Sequence, residues 1–176
     1  MLRFGNSSAI QEPLTTDYRH LREMMSEVNW FDGAVGPSTN LHLALYDMLF
    51  SALRRHIDGE PGYTPIPKEV VDEMLGIAIA KSDNDDNAID YLPQKYPELF
   101  AKLGDELSDT VFLIITDSTE GEGAWKQNPS LGKMIRLMHW FRAPVFVIST
   151  EKDDPPFKKA LPETGVAERP GEFFLL

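Results

Sequence analysis

V-F-L-I-I-T at residues 111–116 is an uninterrupted run of apolar and β-branched side chains. Such a run is typical of a strand inside a parallel sheet whose two faces are both covered. A second run of this kind, V-F-V-I, occupies residues 145–148. Between them Asn128-Pro129 predicts a helix start, and Pro144 ends the helical pattern. The order of strand, helix and strand predicts a right-handed βαβ unit.

Helical segments precede these strands along the chain. Each shows apolar residues at helical spacing and a boundary residue that suits a helix start. The predicted starts are Thr16-Asp17, Ser38 or Thr39 for a helix that runs to about Ile57, Pro67, and Pro97. A short strand is predicted at Leu2–Phe4, and an edge strand at Phe173–Leu176 after a helical turn near Phe157–Leu161. The predicted class is α/β, a Rossmann-like, mainly parallel sheet flanked by helices.

Composition limits the function classes. The 176 residues form one predicted domain, and 17 Lys and Arg against 28 Asp and Glu give a net charge of −11. This acidic excess argues against binding to nucleic acid. The chain has no cysteine, which excludes disulfides and cysteine-ligated zinc. No apolar run approaches the roughly 20 residues of a membrane span, and no signal sequence is recognisable, so we expect a cytoplasmic protein.

Polar side chains follow the first predicted strand of the βαβ unit. Asp117 and Ser118 come directly after it, at the carboxyl end, where open parallel sheets bind ligands. Ser38, Thr39 and Asn40 open a predicted helix and are expected to converge on the same crevice. In the simpler interpretation both groups only cap a turn or a helix.

Two motifs resemble those of von Willebrand factor A domains. G-P-S-T-N-L-x-x-A-L at residues 36–45 is similar to the helix start of that family, and I-T-D-S at residues 115–118 is similar to its buried strand ending in T-D-G. The segment from Leu2 to Leu21 resembles the region between its second and third strands. The resemblance covers most of the chain outside residues 60–94, which we interpret as a helical insertion in a single domain spanning residues 1–176.

The resemblance implies an adhesion site for Mg²⁺ or Mn²⁺. Thr39 would supply a hydroxyl and Asp117 a carboxylate, the hard oxygen ligands that these cations prefer. An acidic side chain of a protein partner would complete the coordination. The implied binding face carries Ser38, Thr39 and Ser118, together with Trp125 as an aromatic anchor.

One family motif is absent from this sequence. The first strand of the family ends in D-x-S-x-S, and no such string occurs here. By this comparison the central first strand is missing, which would leave buried backbone groups unpaired at about 1–3 kcal/mol each. A metal held by Thr39 and Asp117 alone should therefore bind weakly. Three alternatives follow: a second copy or another polypeptide donates the strand and completes the sheet, the remaining strands close the gap, or the sequence is a piece of a longer protein.

The sequence therefore favours a non-enzymatic protein-interaction module. The alternative is a small α/β enzyme that acts on a nucleoside or sugar-phosphate-like ligand, with Asp117 or Glu120 as the acid or base. A purely structural subunit is a third hypothesis. The string L-P-E-T-G at residues 161–165 matches a sortase pattern, but it lacks the following hydrophobic span and basic tail, so we predict a helix end and a glycine turn there.

Overall fold

The computed structural model describes residues 2–4, 8–10, 17–27, 41–79, 86–116, 130–149 and 155–175. The strands are β1 (Leu2–Phe4), β2 (Ser8–Ile10), β3 (Phe112–Thr116), β4 (Val145–Ser149), β5 (Gly165–Val166), β6 (Arg169–Pro170) and β7 (Glu172–Leu175). The α-helices are α1 (Tyr18–Glu27), α2 (Leu41–Ile57), α3 (Lys68–Ile79), α4 (Tyr91–Lys95), α5 (Pro97–Leu107), α6 (Leu131–Trp140) and α7 (Pro155–Ala160). Two 3₁₀ helices occupy Asp86–Asp90 and Leu161–Glu163. Among these residues no helix is long and apolar enough to cross a membrane.

The predicted βαβ unit is present in the structure. β3 and β4 pair in parallel with Phe112 opposite Val145 and Thr116 opposite Ser149, and α6 connects them along the chain. β7 pairs in parallel with the other side of β4, as an edge strand in the predicted place. The mixed α/β class with a parallel sheet is thereby confirmed.

A separate antiparallel pair lies at the start of the chain. β1 was predicted, whereas β2 was not, and the two pair with Leu2 opposite Ile10 and Phe4 opposite Ser8. Within the described residues this pair is not joined to the three-stranded sheet. The sequence from Ser8 to Ile10 is too short for an alternating pattern to identify a strand.

The prediction that β3 is covered on both faces is wrong. Phe112 and Ile114 are buried, but Leu113, which points to the opposite face, is 52% exposed. On β7 Phe173 is buried and its neighbour Phe174 is 42% exposed. The sheet is therefore covered more completely on one face than on the other. An apolar run reports a preference for burial but not whether the rest of the chain supplies a covering layer.

The helix boundaries follow local capping chemistry. The Oδ1 atom of Asp17 accepts hydrogen bonds from the backbone N–H groups of Arg19 (3.1 Å) and His20 (3.0 Å), as expected for the predicted start of α1. The predicted Asn128-Pro129 start of α6 is corrected by two residues. Ser130 is the N-cap, and its Oγ accepts from the backbone N–H of Lys133 at 3.1 Å.

The buried apolar side chains form one cluster that includes the segment interpreted as an insertion. Ile66, Met74 and Leu92 belong to the same cluster as Leu45 of α2 and Val147 of β4. The segment and the sheet bury apolar side chains against the same cluster, so the helices of the segment contribute to the same core.

The L-P-E-T-G string forms the predicted helix end and glycine turn. Thr164 is buried, and its Oγ1 donates to the carbonyl of Leu161 (2.7 Å) and accepts from the backbone N–H of Val145 (3.0 Å). Gly165 has φ of +79°, a conformation that other residues rarely adopt. This turn attaches the segment after α7 to the first residue of β4.

Polar contacts join the C-terminal end of α2 to the helix before β3. The Nδ1 atom of His56 lies 2.9 Å from the carbonyl oxygen of Thr64 and 3.4 Å from Oε2 of Glu106. Glu106 belongs to the last turn of α5, immediately before β3 begins. The C-terminal end of α2 is therefore near the amino end of β3. With 17 residues, α2 is about 25 Å long, so its start lies about that far from this contact.

Glu106 joins three elements at this amino end. Its carboxylate accepts hydrogen bonds from the hydroxyl of Thr64 (2.5 Å) and from the backbone N–H of the same residue (3.2 Å). The hydrogen bond from the Thr64 hydroxyl is the main reason that the pKa of Glu106 lies below its usual value. The contact fixes the loop after α2 to the helix that leads into β3.

Candidate functional site

The predicted site residues themselves lie outside the described part of the chain. They are Ser38, Thr39 and Asn40 before α2, and Asp117, Ser118, Glu120 and Trp125 after β3. The structure does describe the residues covalently attached to both segments, which are Leu41 and Thr116. These two residues are the points at which the two segments join the described structure.

The carboxyl edge of the sheet carries two neighbouring hydroxyl groups. Thr116 ends β3, Ser149 ends β4, and the two are register partners. Partners in a parallel ladder project to the same face of a sheet. This face also carries Ile114 and Val147, both of which are buried in the core. The two hydroxyls therefore lie at the end of the core-facing side.

Ser149 is the more unusual of the pair. Its side chain is fully buried, and its Oγ atom has no hydrogen-bond partner in the part of the chain that the structure describes. Buried hydroxyl groups in proteins are nearly always hydrogen-bonded, because an unpaired one has lost its bonds to water. An orphaned hydroxyl at a sheet edge where ligands commonly bind is therefore a candidate ligand contact.

α6 begins at this same edge. The helix is the crossover between parallel neighbours, and a short turn connects Trp140 to β4. This turn is fixed by hydrogen bonds from Ala143 N–H to the Met138 carbonyl and from Phe112 N–H to the Pro144 carbonyl, both 3.0 Å. Because the C-terminal end of α6 meets the amino end of the sheet, its N-cap Ser130 lies toward the carboxyl end.

A buried lysine lies in the first turn of α6. Lys133 is 2% exposed, and its Nζ donates to the carbonyl oxygen of Ile77 at 2.9 Å. Ile77 belongs to the last turn of α3, where carbonyl groups lack helical partners and a positive charge is favourable. Lys133 thus connects the start of α6 to the end of α3.

No sequence pattern distinguishes Lys133 from an exposed helical lysine. The apolar residues at helical spacing in α6 are Leu131, Met134 or Ile135, Met138 and Phe141, and Lys133 lies off this stripe. In the structure the first five residues of α6 are all buried, so the helix is enclosed on more sides than a stripe indicates. A long polar side chain can be enclosed only with a partner for its head group, and that partner is 56 residues away in sequence.

The far end of α6 is fixed by polar contacts. The Nε1–H of Trp140 donates to Oδ1 of Asp90 at 2.7 Å, and Arg136 forms an ion pair with Oδ2 of the same carboxylate at 3.2 Å. Asp90 ends the 3₁₀ helix before α4. Together with Lys133 these contacts attach α6 to the helical segment between residues 66 and 95, and so stabilise the position of its N-terminal end.

The start of α2 is the end of that helix away from the His56 contact. Its first two residues, Leu41 and His42, are buried. Farther along, Asp47 is partly buried, and burial raises its pKa above the ordinary value. α6, which starts toward the carboxyl edge, directs the positive end of its dipole toward that edge.

The donor chemistry of this edge is that of hydroxyls and helix N-termini. Within the described residues, no group of three or more His, Asp or Glu side chains is arranged to hold a metal ion. The oxygen atoms of Thr116 and Ser149 are of the hard type that Mg²⁺ accepts, and Asp117 follows Thr116 directly in the sequence. No protein-family model, curated protein or solved structure matches this chain.

Proposed function

We propose that this chain is a non-enzymatic protein-interaction module, similar to von Willebrand factor A domains, whose binding face is the carboxyl edge of β3 and β4. The observation that carries the proposal is the contact between the C-terminal end of α2 and the helix that leads into β3. This end is near the amino end of β3, through His56 and Glu106, and we infer that α2 runs alongside the sheet with its first residue toward the opposite edge.

This direction supports convergence of the two predicted loops. Asn40 is bonded to Leu41 at the start of α2, and Asp117 is bonded to Thr116 at the end of β3. The two elements that lead into the loops therefore meet the same edge of the sheet. Had α2 run the other way, Thr39 and Asp117 would be separated by about the 25 Å length of that helix.

The proposed chemistry is that of hard oxygen ligands. Thr39 and Asp117 would hold a Mg²⁺ or Mn²⁺ ion, which polarises and binds an acidic side chain of the partner. Ser38 and Ser118 would contact the partner around the ion, and Trp125 would pack against it. Because two protein ligands leave most coordination positions of the cation to water molecules, we expect the metal to bind weakly.

The proposed partner also completes the sheet. In the described part of the chain, β4 is the strand neighbour of β3. The run from Val111 to Thr116 has neither a charge nor a proline that would protect an edge. These properties support a strand donated by another polypeptide or a second copy of the chain.

Calorimetric titration with Mn²⁺ and Mg²⁺ tests the metal site. We expect weak, saturable binding to the unaltered chain and loss of binding in Asp117→Ala, because the carboxylate is the charged ligand. Asp109→Ala is the matched control, since this exposed carboxylate precedes the amino end of β3, and we expect it to bind as the unaltered chain does. Equal binding by all three proteins would contradict the assignment of Asp117.

A further inference from the structure

The unpartnered hydroxyl of Ser149 is not explained by the proposed metal site, whose ligands are Thr39 and Asp117. The Oγ atom of Ser149 is buried away from water, and it has no hydrogen-bond donor or acceptor as a partner in the described residues. It stands at the carboxyl end of β4, on the face that also carries the buried side chain of Val147. A buried polar atom without a partner lowers the stability of the folded protein, and a ligand that forms a hydrogen bond with it would remove this cost.

The surroundings of Ser149 favour a negatively charged ligand. α6 starts toward this edge and presents the positive end of its dipole, which attracts anions. Lys133, in the first turn of the same helix, is buried. The positive end of the helix dipole favours an anion, and an oxygen of an anion accepts a hydrogen bond from a serine hydroxyl.

We propose that the carboxyl edge between β3 and β4 binds a small oxyanion, a carboxylate or a phosphate group, without a metal ion. The Ser149 hydroxyl donates a hydrogen bond to one oxygen of this ligand, and the N-terminal end of α6 faces its charge. The inference deepens the proposed function, because it names a ligand class for the same edge and rests on that edge being the binding face.

Two anions distinguish the source of the oxyanion. The protein, held in EDTA, is titrated with sodium acetate and with sodium phosphate, against sodium chloride at equal ionic strength. Binding is followed by the amide resonances of Leu131, Gly132 and Ser149. We expect saturable shifts with at least one of the two oxyanions, acetate if a carboxylate is preferred and phosphate if a phosphate group is preferred. Shifts no larger than those with chloride, for both anions, would overturn the proposal.

Ser149→Ala removes the hydroxyl and little volume. We expect its affinity for the preferred anion to fall by about tenfold, the effect of one lost hydrogen bond. Without anion, we expect its Tm to rise, because an unpaired buried hydroxyl has been removed. Ser108→Ala is the control, since Ser108 lies at the amino end of the sheet and its hydroxyl bonds the Asp105 carbonyl. Unchanged affinity in Ser149→Ala, or a lower Tm without anion, would overturn the assignment.

Asp117→Ala separates this inference from the metal proposal. We expect this variant to lose Mn²⁺ binding but to keep its affinity for the oxyanion in EDTA. If Mn²⁺ binds and no oxyanion does, the proposed metal site stands and the oxyanion site is wrong. If the oxyanion binds and Mn²⁺ does not, the oxyanion site stands and the metal assignment is wrong.

Discussion

Gly171→Ala is expected to destabilise the protein by about 3 kcal/mol, the upper part of the range for overpacking a filled site. A Cβ atom at this position would lie 2.5 Å from the backbone oxygens of both Leu161 and Val145. It would lie closer still to Oγ1 of Thr164. None of these atoms can withdraw easily, because two are backbone and Thr164 Oγ1 is bonded to the N–H of Val145. The substitution therefore separates the L-P-E-T-G turn from the start of β4.

Gly76→Ala is the matched control for this prediction. Gly76 lies within α3, and a Cβ added there meets nothing within 4 Å. Because alanine favours the helix over glycine, we expect a gain of about 0.5–1 kcal/mol. Urea unfolding of both variants measures the two changes. Equal effects of the two substitutions would contradict the packing described around Gly171.

Lys133→Ala is expected to destabilise the protein by about 3 kcal/mol, as for other large side chains removed from a core. The substitution leaves a cavity where a side chain that is 2% exposed had been, and it leaves the Ile77 carbonyl without the Nζ donor. Lys102→Ala on α5 is the control, because that lysine is exposed, and we expect a change within about 0.5 kcal/mol.

Lys133→Met separates the packing of this side chain from its hydrogen bond. Methionine keeps most of the apolar stem but has no donor for the carbonyl of Ile77, so we expect a loss smaller than that of Lys133→Ala. Thermal or urea unfolding of Lys133→Ala, Lys133→Met and Lys102→Ala gives the order of their stabilities. If Lys133→Ala were as stable as Lys102→Ala, the buried placement of Lys133 would be wrong.

Local sequence patterns predicted much of the described fold. The apolar runs at residues 111–116 and 145–148 identified β3 and β4, and the segment between them identified α6, because strands and crossover helices have distinct periodicities. The start of α1 near Asp17 was also predictable, since an N-cap acts within a few residues of its own position. These features depend on neighbours in the chain.

Features that depend on distant residues were not predictable. Leu113 is exposed because the sheet has an outer face that the described helices leave incompletely covered, and the run of residues 111–116 does not record this. Lys133 is buried because Ile77 supplies an acceptor from another helix. At the candidate site, the pairing of Thr116 with Ser149 depends on strand register, which a single sequence does not specify here.

The central claim is that the segments before α2 and after β3 meet at one edge of the sheet. The chain contains no cysteine, so pairs of spin labels can be placed without removing any residue of that type. One pair combines Asn40→Cys with Ser118→Cys, and the second combines Arg55→Cys with Ser118→Cys. Arg55 is exposed near the C-terminal end of α2.

Double electron–electron resonance then measures both label distances. We expect the distance from position 40 to position 118 to be shorter than that from position 55 to position 118 by about 20 Å, most of the length of the intervening helix. This order would confirm that both predicted loops share the carboxyl edge. The reverse order would mean that α2 runs the other way, and it would contradict the proposed binding face.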